Sequence, residues 1–394
     1  MAMLFPLNPA MRATDPPPVM EARRWLDGVT FPPDRQLLNV SQAAPVEPPP
    51  LALRQAIAEA ALNDPAAHLY GPVLGLPALR DVVAAQWSQA YCGAVTPEQV
   101  AITQGCNQAF TAVLSTIAGA GDAVILPTPW YFNHKMWLDM QGVDAIALPT
   151  DDGLMPDLDR AEASITPRTR AIVLVSPNNP GGVEYPAALL DAFLDLARRH
   201  GLALIVDETY RDFDSRTGAP HALFADPDWA DTFIHLYSFS KAYRLTGHRV
   251  GAIVASGARL AQVEKFLDTV AICPSQLGQI AALWGLMNLG PWVATERLEI
   301  LHRSAAMRQG FAQLPGWQLL GCGAYFAYAR HDTGLPSPDL ARRLVRDASI
   351  LMLPGTMFRP AADARGSAEM RIAFANIDTP TISVFLERLA AFSV

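Results

Sequence analysis

Lys241 stands in the run Tyr237-Ser-Phe-Ser-Lys-Ala-Tyr-Arg-Leu-Thr-Gly-His-Arg-Val-Gly251, among two serine hydroxyls, two arginines and two glycines. The apolar residues Phe233 to Tyr237 ahead of it read as a strand, so Ser238, Ser240 and Lys241 leave its carboxyl end, where open α/β sheets place their ligands. Hydroxyls and a guanidinium at such an edge suit a phosphate. A lysine amine partly desolvated beside Arg244 and Arg249 holds its proton less tightly and can form an imine with a carbonyl. A ligand carrying both a carbonyl and a phosphate suggests pyridoxal 5'-phosphate (PLP).

The spacing Ser-x-Ser-Lys-x-Tyr-x-x-Thr-Gly-x-Arg-x-Gly, from Ser238 to Gly251, resembles the lysine signature of fold-type I aminotransferases, the class I/II group that includes aspartate aminotransferase. The resemblance implies that Lys241 holds PLP as an internal aldimine and that Ser238, Ser240 and Arg249 bind its phosphate. Further strand ends carry chemistry of the same kind. Thr103 to Ala109 puts a glycine at the start of a helix, whose free N–H groups and dipole favour a phosphate. It resembles the family's Thr-x-Gly-x-x-x-Ala cup, which makes Gly105, Cys106 and Asn107 backbone donors. Pro127 to Asn133 supplies aromatic faces for a planar ring. The resemblance places Tyr131 there, with Trp130 as the alternative.

Ser176-Pro-Asn-Asn-Pro-Gly-Gly182 resembles the family's Asn-Pro-x-Asn-Pro-x-Gly, with Ser176 for the first Asn and Gly181 for the usual Thr. Asn179 then meets the cofactor's phenolic oxygen and borders the substrate. Asp207 ends another apolar run, and a carboxylate buried against a pyridine nitrogen keeps that nitrogen protonated. Tyr210, one turn on, points to the phenolic oxygen, while Glu208 is read as structural. An arginine inside the apolar segment Met370 to Ala375 is costly unless it meets an anion, and its fork suits a carboxylate. That segment resembles the family's terminal element, so Arg371 is expected to bind the substrate α-carboxylate.

The elements that must position these groups alternate along the chain. Apolar runs at 99–103, 123–127, 143–148, 171–175, 202–206, 233–237 and 250–254 are separated mostly by helical patterns, which predicts a mainly parallel sheet of an α/β protein. The link between the last two is too short for a crossover helix, so the last strand is expected to be antiparallel. The fold implied is PLP-dependent transferase fold type I: a large domain with a seven-stranded, mostly parallel sheet flanked by helices, and a smaller α/β domain from both chain ends. The expected division is 1–47 for the N-terminal arm and part of the small domain, 48–289 for the large PLP-binding domain, and 290–394 for the C-terminal small domain. A helix is expected over 19–27, a short strand at 37–40, a long helix from Trp292 to Gln313 and a strand from Ala324 to Ala329. The uncharged stretch Thr269 to Thr295, interrupted by Pro274, Gly278, Gly290 and Pro291, reads as a helix buried between domains or subunits rather than a membrane span. Ala43 and Ala44 stand where relatives carry a glycine beside the substrate.

With 394 residues and 51% hydrophobic content the chain can bury a large core. A net charge of −8 argues against nucleic acid or an anionic membrane as a partner. Cys92, Cys106, Cys273 and Cys322 are too dispersed for a metal site or disulfide framework, and no secretory signal is read at the N-terminus, so a reducing cytoplasm is expected. The loop at Tyr70-Gly-Pro-Val-Leu-Gly75 resembles an element whose tyrosine reaches the phosphate of the neighbouring subunit, which implies a homodimer with Tyr70 contributed across the interface.

The function implied is amino transfer from an L-amino acid to a 2-oxo acid. A C–S lyase, cyclase or aminocyclopropane-carboxylate synthase on the same fold would share these motifs. A non-catalytic regulator would need an appended DNA-binding domain, for which the segment before Leu37 is too short and Pro-rich. No second arginine is marked by its context as a side-chain carboxylate binder, and aromatics including Tyr325 and Phe326 favour an apolar or aromatic substrate side chain.

Overall fold

The structure, a computed structural model, describes residues 5–392. Its strands are β1 (Leu38–Asn39), β2 (Val100–Thr103), β3 (Ala123–Thr128), β4 (Asp144–Pro149), β5 (Thr169–Val175), β6 (Ala203–Asp207), β7 (Phe233–Ser238), β8 (Gly251–Val254), β9 (Trp317–Gly323), β10 (Phe326–His331), β11 (Ile350–Leu351), β12 (Leu353–Pro354) and β13 (Glu369–Ile372). Seven of them form one sheet in the order β2-β8-β7-β6-β5-β3-β4. Every pairing in it is parallel except those of β8, which runs antiparallel to both β7 and β2. The expected antiparallel strand is therefore present, and it brings Gly251 opposite Ser238 and Thr103.

Helices cover both faces, which is why β2, β3, β6 and β7 are buried along their whole length. Three position the site: α1 (Pro18–Arg24), α2 (Cys106–Ser115) and α3 (Phe132–Gln141). A fourth, α4 (Ala187–Arg199), shows how the covering works. It buries Leu190, Phe193, Leu194 and Ala197 at helical spacing and ends on Arg198 and Arg199, whose charge suits the negative end of its dipole.

The stretch Thr269 to Thr295 is not one helix. It holds the end of α5 (Gly257–Ala271), all of α6 (Gln276–Asn288) and the start of α7 (Gly290–Phe311). Ile272, at φ +63°, and Pro274 break it at one end, and Gly290 and Pro291 restart it at the other. Among the described residues no helix is long and apolar enough to cross a membrane.

A second sheet is antiparallel, in the order β12-β13-β10-β9. Strand β9, which holds Gly321 and Gly323, was not expected. They are required by contact: a Cβ on Gly321 would run into the Gly181 carbonyl, and one on Gly323 into the Gly182 carbonyl. The reverse also holds, since a Cβ on Gly182 would lie 2.5 Å from the carbonyls of Gly323 and Phe326. The expected strand at 324–329 begins two residues later, after Ala324 turns the chain at φ +44°. β1 pairs with β11, so the N-terminal segment is tied to the C-terminal region through Leu38–Ile350 and Asn39–Leu351.

Gly182 sits at φ +70° in this junction between the two sheets. Gly182→Ala is expected to destabilise the protein by at least about 2 kcal/mol, because strain in φ adds to a clash with fixed backbone. Gly218→Ala, at φ +87° but with open space around it, isolates the backbone part and should cost about 1 kcal/mol. Urea unfolding of the two variants measures the difference.

Candidate active site

The carboxyl ends of β2, β5, β6 and β7 open into a cavity of about 430 Å³, closed on the far side by β13, by the loop 41–44 and by α1. Lys241, Asp207, Tyr210, Asn179, Tyr131 and Arg371 all line it, as do Cys106, Asn107, Ser238, Ser240 and Arg249. Two expected residues lie elsewhere. Tyr70 is exposed on the surface, and Gly105 sits behind the wall, where it leaves room for Arg249.

Lys241 follows Ser238, whose hydroxyl caps a single helical turn by accepting from the Ser240 N–H. The lysine side chain is half-buried, and its Nζ donates to the Ala43 carbonyl. Burial first, then the positive charges of Arg249 and Arg371, pull its pKa down to about 8. Arg249, at φ +53°, donates to the Thr246 carbonyl at 3.1 Å and lies 3.5 Å from the Ser240 hydroxyl. A Cβ on Gly105 would collide with that guanidinium, and one on Gly251 would sit 2.6 Å from the Gly105 carbonyl carbon. Two glycines thus let the start of α2, with its free N–H groups, share one concavity with Arg249 and the two serines.

Asp207 ends β6 and is buried. Burial alone would raise its pKa, but the His134 imidazole beside it, together with two bonds from Thr209, outweighs burial and holds the carboxyl below the ordinary value. The Thr209 N–H and hydroxyl donate to Oδ1 at 3.0 and 2.7 Å, and His134 Nε2 lies 3.5 Å from Oδ2. His134 is itself fixed by stacking on Phe110 at 3.8 Å and by the edge of Tyr131 at 5.0 Å. Sequence reasoning missed both His134 and Thr209. The signal available for His134 was its place one helical turn beyond Tyr131. Tyr131 lines the cavity and its hydroxyl donates to Asn107, whereas Trp130 faces away from it.

Arg371, in β13, is buried, and burial lowers its pKa to about 10. It donates to Asn179 Oδ1 at 3.1 Å and to the Ser41 carbonyl, and its Nε has no partner. Tyr210 stands on the same side, its ring 5.9 Å from Lys241 Nζ. Tyr325 and Phe326, expected near the substrate side chain, pack behind Tyr210 at 5.5 and 5.2 Å and do not reach the cavity wall. The rim is instead formed by Val19, Met20 and Arg23 of α1 with Gln42, and Arg23 donates to Gln42 at 2.8 Å. Glu208 is structural, as expected. It is buried away from the cavity, where it accepts from the Tyr91 hydroxyl and pairs with His235 at 2.8 Å.

A cradle for phosphate, an amine of lowered pKa, a buried carboxylate and a guanidinium with an unpartnered nitrogen are a donor set that PLP fits. Set at the strand ends of a seven-stranded α/β sheet, they define a PLP-dependent enzyme of fold type I. The chain belongs to the family described as aminotransferase class I and II, whose sequence profile it matches over residues 35–389. It is accordingly a PLP-dependent aminotransferase.

Its relatives include the aromatic aminotransferase ISS1 of Arabidopsis thaliana, 29% identical over 354 residues, which span 87% of this chain and 86% of that protein. The arginine–pyruvate transaminase AruH of Pseudomonas aeruginosa is 31% identical over 299 residues, 74% of this chain and 75% of the relative. Among solved structures, a single mutant of Thermus thermophilus aspartate aminotransferase superimposes with a TM-score of 0.88 over 98% of this chain and 99% of its own, at 24% identity, a likeness of fold.

At pH 7 about one molecule in ten carries Lys241 as the free amine, against about one in three thousand for an ordinary lysine. Acylation of Lys241 in the apoprotein, followed by peptide mass, should therefore rise through a midpoint near pH 8. Arg249→Gln removes a positive neighbour that disfavours the protonated amine, so the midpoint should move upward.

Proposed function

We propose that Lys241 is the residue that bonds covalently to PLP and carries the proton during transamination. The observation that bears most of the weight is the convergence of Lys241, Asp207 and Arg371 in one buried cavity with the amine pKa lowered. In this reading Ser238, Ser240, Arg249 and the N–H groups of Cys106 and Asn107 hold the phosphate. Tyr131 covers one face of the ring. Asp207, kept anionic by His134 and Thr209, holds the proton on the pyridine nitrogen, and Asn179 and Tyr210 bind the phenolic oxygen.

When bound, PLP supplies an electron sink for the negative charge left at the substrate α-carbon. The protein does the rest. Arg371 grips the α-carboxylate and, through Asn179, orients the α-carbon. Lys241 Nζ, neutral once released, would take the proton from the substrate α-carbon and hand it to C4' of the cofactor rather than back to the α-carbon; with one water taken up the donor leaves as a 2-oxo acid, and the reverse transfer passes the amino group to an incoming 2-oxo acid.

The division at 47/48 and 289/290 into an arm, a large domain and a small domain belongs to the same proposal, as do a cytoplasmic location and a homodimer. The dimer is supported by the surface near Tyr70. Leu69, Tyr70, Val270 and Ile272 are 66%, 81%, 58% and 44% exposed, and the Gly71 N–H donates to Cys273 Sγ, joining the two segments in one apolar patch.

The decisive test mixes the holoenzyme with single L-amino acids and assays the product. A 2-oxo acid equal to the amino group transferred is expected; ammonia or a thiol instead would make the enzyme a lyase. Borohydride reduction should fix PLP on the peptide containing Lys241, and Lys241→Ala should show neither label nor turnover. A label found on another residue would remove Lys241 from the mechanism. For the dimer, Tyr70→Phe should raise the dissociation constant for PLP about tenfold through loss of one charge-assisted hydrogen bond, while sedimentation still reports two subunits. Unchanged PLP affinity would take Tyr70 out of the site.

A further inference from the structure

The loop from Asn39 to Ala44 touches more of the site than its sequence suggests. Its Ser41 carbonyl receives Arg371 and its Ala43 carbonyl receives Lys241. Both contacts are made by backbone oxygens, so their directions depend on how the loop's peptide planes are held. No side chain within the loop holds all of them: Asn39 accepts only from the Ser41 N–H and hydroxyl, and Gln42 points outward to Arg23.

What holds the loop comes from the other end of the chain. After Arg371 the chain leaves β13, pairs once through the Ala373 N–H with the Val40 carbonyl at 2.8 Å, and makes a single tight turn at Phe374–Asn376. The turn is fixed from α7, where Arg303 donates to the Ala375 carbonyl at 2.8 Å. Asn376 then reaches back across the loop. Its Nδ2 donates to the Asn39 carbonyl at 3.2 Å and to the Gln42 carbonyl, and its Oδ1 accepts from the Ala44 N–H at 3.2 Å. One amide thus uses both donors and its acceptor on the peptides that flank Ser41 and Ala43.

We infer that Asn376 is a positioning residue for substrate binding, acting through the 39–44 loop on Arg371. It touches neither cavity nor substrate. With its three bonds in place, the Ser41 carbonyl is fixed where it receives one Nη of Arg371, Asn179 receives the other, and the unpartnered Nε is left for a ligand. Without them the loop can turn its carbonyls away, and a buried guanidinium that loses an acceptor must swing to find another. The inference rests on Arg371 being the α-carboxylate binder.

The group held is common to every amino-acid substrate, so the expected signature is uniform. In the holoenzyme, Asn376→Ala should raise KM about tenfold for donors with short, long, apolar and charged side chains alike, with a smaller change in kcat. Asn376→Asp should be worse than Asn376→Ala, because a carboxylate would face the carbonyls of Asn39 and Gln42 while keeping only the acceptor that Ala44 needs. In an Arg371→Lys background, which has already lost the fork, Asn376→Ala should add little, since two residues acting through one group are not additive. Asn376 is half-buried, and the unfolding midpoint in urea, measured across the series, separates a loss of stability from the loss of positioning.

Three results would overturn the inference: a KM effect confined to one class of side chain, a loss in kcat with KM unchanged, or full additivity with Arg371→Lys. A wild-type enzyme that transaminates no amino acid would instead remove the proposed function, and the inference with it. The wild-type controls tell the two failures apart.

Discussion

Three cationic groups, with Arg23 a fourth at the rim, share the cavity with a single carboxylate. Lys241, Arg249 and Arg371 all face it, and among the described residues Asp207 is the only acid in its wall. Burying charge without a counter-ion is expensive, and the chain offsets the cost for Lys241 and Arg371 by resting each on a backbone carbonyl, Ala43 and Ser41; Arg249, which is exposed, donates to the Thr246 carbonyl. A carbonyl dipole compensates a full charge only in part. The remainder shows in the two pKa values pulled down to about 8 and about 10. In the proposed function the same surplus of positive charge draws a phosphate and a carboxylate, so the interaction that strains the protein alone would be the one that binds its ligands.

Holding like charges together needs a rigid frame, and the frame is built from close backbone contacts. Gly105 and Gly251 bring β2, β8 and the start of α2 within a methyl group of one another, under Arg249. Gly181 and Gly182 do the same against Gly321 and Gly323, joining the edge of the large sheet to β9 and β10. The second junction decides the position of β13, and so of Arg371, relative to Asn179. Gly251, Gly182, Gly321 and Gly323 cannot take a side chain without displacing peptide atoms, whereas Gly105 faces the Arg249 guanidinium.

On the reverse side of Asp207 the polarity is handled differently. Glu208 points into the core, where Tyr91 and His235 satisfy it and Arg211 stacks over Trp87 at 4.0 Å. Adjacent acids in one strand end thus face opposite ways, as strand alternation requires, one into the cavity and one into a closed network.

The sequence by itself determined the seven strands of the large sheet, the reversed direction of β8 and the strand-end groups that line the cavity, Lys241, Asp207 and Arg371 among them, though not its rim. Strand-end residues follow apolar runs at fixed offsets, and a lysine, an aspartate or an arginine in such a place has few physical reasons to be there. It could not determine β9, whose glycines obey contacts with residues far away in the chain. It made one helix of Thr269 to Thr295, where local breaks at Ile272–Pro274 and Gly290–Pro291 divide the stretch between three. It sent Tyr325 and Phe326 to the substrate, although the side of a strand that faces a cavity is set by the sheet packed behind it. His134 on Asp207, Arg23 at the rim and Asn376 across the 39–44 loop were decided by tertiary structure alone. Each is a contact between segments separated in the chain, made through a side chain of common type, and apart from the place of His134 one turn beyond Tyr131 nothing in the neighbouring sequence marks it.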